Sequence, residues 1–122
     1  MNSLAKADEL RRRTKSFAIR IVNVFRSMPR SPEGQTLGKQ LLRSGTSVAA
    51  NYRAVCRARS KAEFISKMGV VVEEADETVF WLEMLTETGI VTSERVQDLL
   101  KEANELLAIF GASLRTSKDG FK

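Results

Sequence analysis

A run of small residues in the middle of a helical pattern constrains this chain more than any other feature. Leu41, Val48 and Tyr52 recur at the spacing of one helix face, so residues 37–55 are expected to form a helix. Between Leu41 and Val48 the chain places Gly45 among serine and threonine residues, and two alanines follow Val48. A glycine inside a helix costs about 1 kcal/mol relative to alanine. We therefore expect a second helix to approach closely at Gly45; the alternative is that the glycine is merely tolerated there.

Three further segments carry an apolar seam with helical spacing. The four predicted seams are, in chain order, Leu10, Thr14, Phe17, Ile21, Val24 and Met28; Leu37, Leu41, Val48, Tyr52 and Val55; Phe64, Met68, Val71, Ala75, Leu82 and Leu85; and Val96, Leu99, Ala103, Leu106 and Phe110. No segment alternates with the period of two that a strand requires, and no βαβ rhythm or internal repeat is present. The seams predict an all-α chain.

Proline and capping residues set the predicted helix boundaries. Residues 29–32 include two prolines, which end the first helix, and Ser31 is suited to cap the second. The second helix is expected to run to Arg57 or Arg59. Residues 60–63 have the pattern of a capping box, so the third helix begins almost without a loop. Such short connections make sequential helices antiparallel neighbours, and we predict an up-down-up-down antiparallel four-helix bundle.

The bundle is expected to be a single domain. At 122 residues the chain is long enough for one hydrophobic core. We place the domain at residues 8–115, and we expect residues 1–7 and 116–122 to be frayed or disordered.

Composition excludes several kinds of site. One cysteine, Cys56, and no histidine leave this chain unable to form an internal disulfide, a zinc site or a Ser-His-Asp centre. Ser44, Ser47 and Asn51 cluster in the second helix, but no base accompanies the serines, so we read them as helix hydrogen-bonding residues. We predict no catalytic residue, no metal and no cofactor. With no signal peptide and no apolar stretch that could cross a membrane, we expect a cytoplasmic protein.

Charge is divided unevenly along the chain. Residues 1–61 hold 14 of the 20 Lys and Arg residues but 3 of the 15 Asp and Glu residues. Clustered cations of this kind bind phosphate backbones without reading sequence. The candidate nucleic-acid-binding residues are Arg11, Arg12, Arg13, Lys15, Lys39, Arg43, Arg53, Arg57 and Arg59. The alternative is that these cations pair with the acids of the third helix, within the chain or across subunits.

The third helix has a second apolar side. Phe80 and Met84 project away from its seam, with Trp81 on the flank, and a bundle helix that is apolar on two sides needs two partners. We predict a subunit interface there. Glu73 and Glu77 lie on the same outward side and could meet arginines of a neighbouring subunit, although ordinary solvated carboxylates would look the same.

Four motifs carry a family resemblance. Residues 40–52 read QLLRSGTSVAANY, residues 13–18 read RTKSFA, residues 58–60 read ARS ahead of Phe64, and residues 73–78 read EEADET ahead of Trp81. In order and spacing these motifs resemble the bacterial four-helix-bundle family of ribosomal-RNA intervening-sequence proteins, over roughly residues 8 to 115. One departure is Ala54, where many members of the family carry a glutamate, so no role of that glutamate is transferred.

The resemblance implies a homo-oligomer, with a pentamer favoured. It also implies a link to nucleic acid, because the family is similar to the accessory variability determinant of diversity-generating retroelements, a pentamer that works with a reverse transcriptase and RNA. We therefore expect a non-enzymatic, self-assembling scaffold that binds RNA or DNA through its basic surface, with a protein partner such as a reverse transcriptase. The alternative is a protein–protein interaction module without a nucleic-acid role.

Overall fold

Four helices account for nearly all of the chain. The computed structural model describes residues 3–119, and its helices are α1 (Ser3–Arg26), α2 (Pro32–Val55), α3 (Lys61–Glu87) and α4 (Ser93–Asp119). Each helix packs against its neighbours in sequence, and a smaller interface between α1 and α4 closes the ring. No strand occurs within the described residues. The predicted all-α four-helix bundle is confirmed.

The outer helices run past the predicted domain limits. Residues 3–7 are part of α1, and residues 116–119 are part of α4. Polar residues continue α4 because no glycine or proline interrupts them and the Ser117 hydroxyl donates to the Ser113 carbonyl at 2.9 Å. The rest of the predicted frayed ends, residues 1–2 and 120–122, lies outside the described residues.

Serine caps begin α2 and α3 where the sequence predicts, but α2 ends earlier than predicted. The Ser31 hydroxyl accepts the Gly34 backbone N–H at 3.1 Å, and the Ser60 hydroxyl accepts that of Glu63 at 3.0 Å. However, α2 ends at Val55, before the predicted Arg57 or Arg59. The backbone N–H groups of Arg57 and Ala58 bond three residues back, at 3.1 and 3.0 Å, and this tightened turn ends the helix early.

The predicted seams form the core. Every seam residue of α1 and α4 is buried, and so are those of α2 and α3 except Leu37 and Phe64, which are partly buried. Thr14, the one polar seam residue, satisfies its buried hydroxyl by donating to the Leu10 carbonyl at 2.8 Å.

At Gly45, α2 packs closely against Ile21 of α1. A Cβ atom on Gly45 would lie 2.7 Å from Cγ1 and 2.9 Å from Cγ2 of Ile21, distances that side chains do not tolerate. Gly38, about two turns earlier in α2, is similarly close to Phe25 of α1 and to Met28 just after it. Close helix approach at Gly45 is therefore confirmed, and it extends along the α1–α2 interface.

Candidate nucleic-acid interface

A groove between α1 and α2 brings two of the predicted basic clusters together. This α1–α2 groove has a volume of about 520 Å³. Its cations are Arg11, Arg12 and Lys15 from α1 and Arg53 and Arg57 from α2. The floor consists of Thr46, Ala49 and Ala50, which belong to the run of small residues in the middle of α2. Because these side chains are short, cations from both helices can converge on one channel.

Four of the five groove cations have no partner within the described part of the chain. Within residues 3–119, Arg12, Lys15, Arg53 and Arg57 have no ion-pair or hydrogen-bond partner, and all four are exposed. Arg11 forms an ion pair with Asp8 one turn earlier in α1, and both side chains remain nearly half exposed. The groove therefore carries a concentrated positive charge that faces solvent.

A second cavity lies on the other side of the α2 cations. This α2–α3 groove, of about 370 Å³, is also lined by Arg53 and Arg57, and it adds Arg59, Glu63 and Lys67. Glu63 weakly pairs with Arg59 at 3.8 Å, and the arginine side chain is 90% exposed. Lys67 was missed by the sequence reasoning because it belongs to the acidic half of the chain. The sequence feature that could have identified Lys67 is its position one turn after Glu63, near the tight turn between α2 and α3.

Arg43 does not belong to either groove. It forms hydrogen-bonded ion pairs with Glu74, at 3.2 Å, and with Glu77 of α3. Glu77 also accepts the Trp81 indole N–H at 3.2 Å; this hydrogen bond and those from Arg43 lower the pKa of Glu77. The partner that we expected for Glu77 in another subunit is thus supplied by the same chain. Lys39, two turns from the grooves, lies exposed.

Arg13 is likewise engaged inside the chain. Its guanidinium binds Glu102 of α4 in a bidentate pair, with both N–O distances 2.7 Å, and also reaches Glu105 at 2.9 Å. The Arg13 hydrogen bond holds the pKa of Glu102 below its usual range. This ion pair joins α1 to α4 across the smallest interface of the bundle. Arg13 and Arg43 are therefore already paired with carboxylates of the bundle, and nucleic-acid binding by the nine candidate cations stays a prediction.

The outward side of α3 presents an aromatic pair. The Phe80 side chain is 49% exposed, and its ring contacts the Trp81 ring edge to face with centroids 4.9 Å apart. Trp81 and Met84 are half-buried, and Glu73 is exposed. The hydrogen bond to Glu77 holds the Trp81 ring in place, and the Trp81 ring in turn supports that of Phe80.

The remaining sequence candidates have structural roles. The Asn51 amide donates to the Ser47 carbonyl at 2.9 Å, and the Ser44 hydroxyl donates to the Leu41 carbonyl at 3.3 Å. Burial raises the pKa of Tyr52, whose ring packs against Phe110. Residues 3–119 contain no group of acidic, cysteine or histidine side chains placed to hold a metal. None of the helices in this part of the chain is long and apolar enough to cross a membrane.

Known proteins resemble the bundle over most of its length. The family model described as 23S rRNA-intervening sequence protein matches residues 7–112. A crystal structure of a protein of unknown function from the S23 ribosomal protein family of Bacteroides thetaiotaomicron VPI-5482 is 34% identical to the chain, with a TM-score of 0.79. This similarity covers 85% of the present chain and 96% of the other. No curated protein sequence matches the chain.

Proposed function

The chain belongs to the 23S rRNA-intervening sequence protein family, and from that premise we propose that it is a non-enzymatic, self-assembling scaffold that binds nucleic acid through the α1–α2 groove. The observation that carries the proposal is the convergence of five cations from two helices on one channel, four of them without a partner among residues 3–119. Gathering like charges is unfavourable unless an anion neutralises them. A phosphate backbone supplies such anions at regular intervals.

The groove lining favours phosphates over bases. None of the described residues that line it is aromatic, so this part of the chain supplies no stacking platform of the kind on which single-stranded binders hold bases. Among residues 3–119, its lining includes no asparagine or glutamine, the side chains that read adenine edges. Arginine and lysine on small-residue walls are suited to backbone contacts that are independent of sequence. Binding should therefore depend strongly on salt and weakly on base composition.

Self-assembly is proposed through the outward side of α3. An exposed aromatic ring that is held in place by its neighbours is typical of an interface anchor. Phe80 has this character, with Trp81 and Met84 beside it. Glu73 is exposed and has no ion-pair partner in the described chain, so it can pair with a neighbouring subunit, whereas Glu77 is already bound by Arg43. The assembly that we propose is the homopentamer implied by the family resemblance.

The proposal has consequences for partners and location. A scaffold that holds nucleic acid is suited to work beside a nucleic-acid enzyme, and by analogy with the accessory variability determinant we propose a reverse transcriptase as the kind of protein partner. Nucleic acid in a bacterium is chiefly in the cytoplasm, so we propose that the protein acts there.

A salt titration tests the groove. We expect labelled DNA or RNA to bind tightly at low salt, and the logarithm of the affinity to fall linearly with the logarithm of salt concentration. Replacing Arg53→Gln and Arg57→Gln together should reduce the slope by about 1.5 to 2, since each phosphate contact contributes about 0.7 to 0.9. The matched control removes two exposed cations of α4, Lys101→Gln with Lys118→Gln, and should leave the slope unchanged.

One set of observations favours a second candidate, a protein–protein module. The carboxylates of Glu73, Asp76, Glu83 and Glu87 surround Phe80 on α3, and none has an ion-pair partner among residues 3–119. Arginines of a neighbouring copy could neutralise them. In that case the Arg53/Arg57 variant should lose its assembly on a sizing column, and the parent should show no salt-sensitive binding of nucleic acid. Those two results together would rule out the nucleic-acid proposal.

A further inference from the structure

Arg53 and Arg57 form a ridge with a basic groove on each side. The same two side chains line the α1–α2 groove and the α2–α3 groove, and we call them the α2 ridge. Resting on the proposed function, we propose that the nucleic acid is double-stranded: the α2 ridge enters a groove of the duplex, and one phosphate backbone lies in each flanking groove of the protein.

The position of α2 in the bundle makes such a ridge possible. Both α1 and α3 pack against α2, but in the described chain no Cα atom of α1 lies within 8 Å of one in α3. The helix α2 therefore occupies a corner of the bundle, with a neighbour set back on either side. Neighbouring helices pack 8–10 Å apart, and the major groove of B-DNA, at about 12 Å, admits one helix. A duplex that accepts the corner brings its two backbones toward α1 and α3.

Cations stand where the two backbones would lie. On the α1 side these are Arg12 and Lys15, and on the α3 side they are Lys67 and the mostly exposed Arg59. The ridge residues are four positions apart, which on a helix is about 6 Å, so both arginines point along the same line. A single strand could occupy only one of the grooves and would leave the cations of the other unused. The two-sided distribution therefore favours a duplex.

The α2–α3 groove also contains one carboxylate, which provides a test with the opposite sign. Glu63 lines this groove beside three arginines and Lys67, where it would repel the backbone on that side. Glu63→Gln keeps the backbone N–H that bonds Ser60, so the helix cap is retained. Removing this charge should tighten duplex binding by about threefold, the effect of one unit charge roughly 7 Å away in water. A variant that binds more tightly cannot be explained by misfolding.

The experiment compares three probes by fluorescence anisotropy at several salt concentrations: a DNA duplex, an RNA duplex and a single strand of the same length. We expect a duplex to bind more tightly than the single strand. Lys15→Gln and Lys67→Gln, one on each side of the ridge, should each lower the duplex salt slope by about 0.9. The control Lys101→Gln on α4 should not change it.

The outcomes separate this inference from the function on which it rests. Tighter duplex binding that responds to both Lys15→Gln and Lys67→Gln, and that strengthens in Glu63→Gln, supports it. If the single strand binds as tightly as the duplex, or if duplex binding is unchanged by Lys67→Gln and by Glu63→Gln, the duplex inference is wrong. The proposed function then still stands, provided that the Arg53/Arg57 variant loses salt-sensitive binding. If no probe binds in a salt-sensitive manner, both are wrong.

Discussion

Replacing Gly45 by alanine tests whether close packing explains the small-residue run. Two effects oppose each other. Alanine favours the helical conformation over glycine by about 1 kcal/mol. Its methyl group, however, would lie 2.7 and 2.9 Å from the two branches of Ile21, closer than van der Waals contact allows. Ile21 is fully buried, so it has little room to move. Overpacking of this kind costs about 1–3 kcal/mol. We expect Gly45→Ala to lower the free energy of unfolding by up to about 2 kcal/mol, and Gly45→Leu to lower it further.

Gly69 provides the matched control for this prediction. It lies inside α3, and a Cβ atom there would meet nothing within 4 Å. Gly69→Ala should therefore gain the helix preference without the clash and raise the free energy of unfolding by about 0.5–1 kcal/mol. The two alanine variants should differ in sign although the substitution is the same.

Urea unfolding and thermal melts of both variants, at one protein concentration, measure the difference. For a chain of this length 1 kcal/mol corresponds to a shift of about 4 °C in melting temperature. Ile21→Ala removes both clashing atoms. Although costly by itself, it should be less costly in the Gly45→Ala background, because the new methyl group fills part of the cavity. Equal stabilisation by Gly45→Ala and Gly69→Ala would refute the close-packing explanation.

Three further predictions concern the ion pairs and the exposed aromatic. Arg13→Gln should lower the free energy of unfolding by roughly 1 kcal/mol at neutral pH. Because the pKa of Glu102 is lowered in the fold, this contribution to stability is present above the unfolded pKa of about 4.3 and is lost as pH falls through the folded pKa. The free energy of unfolding of the variant, measured in urea, should therefore depend less on pH in the acid range. Arg43→Gln should barely change the salt slope of nucleic-acid binding in anisotropy titrations, because α3 carboxylates already neutralise this arginine; a loss equal to that of Arg57→Gln would contradict the assignment. Light scattering should find an oligomer, with a pentamer expected, and Phe80→Asp should dissociate it. A parent mass of 13.6 kDa, that of the monomer, would contradict self-assembly.

The sequence predicts the architecture well because helix periodicity and caps are local signals. The first seam, from Leu10 in α1 to Met28 just after it, is buried throughout, and Ser31 and Ser60 cap the helices that follow them. The early end of α2 could not be predicted in this way. It depends on a tightened turn after Val55, and nothing in the local composition requires that turn.

The site is harder to predict because a charged residue in a sequence does not reveal its partner. Arg13 and Arg12 are adjacent and chemically identical, yet Arg13 binds two carboxylates of α4, whereas Arg12 lines the α1–α2 groove without a partner among residues 3–119. The one-residue step rotates the side chain by about 100° around α1, from the α4 side to the α2 side. Helix geometry gives such rotations, but only the packed bundle shows which helix lies in each direction.

The small-residue run connects the fold to the proposed interface. Gly45 permits α1 and α2 to approach closely at Ile21, and the next residues of the same run, Thr46, Ala49 and Ala50, form the floor of the α1–α2 groove. Large side chains at these floor positions would fill the channel and separate the two rows of cations. What the three floor residues share is a short side chain, and this keeps the channel of the basic surface open. Small side chains in the middle of α2 therefore serve both the close packing at Gly45 and the open channel beside it.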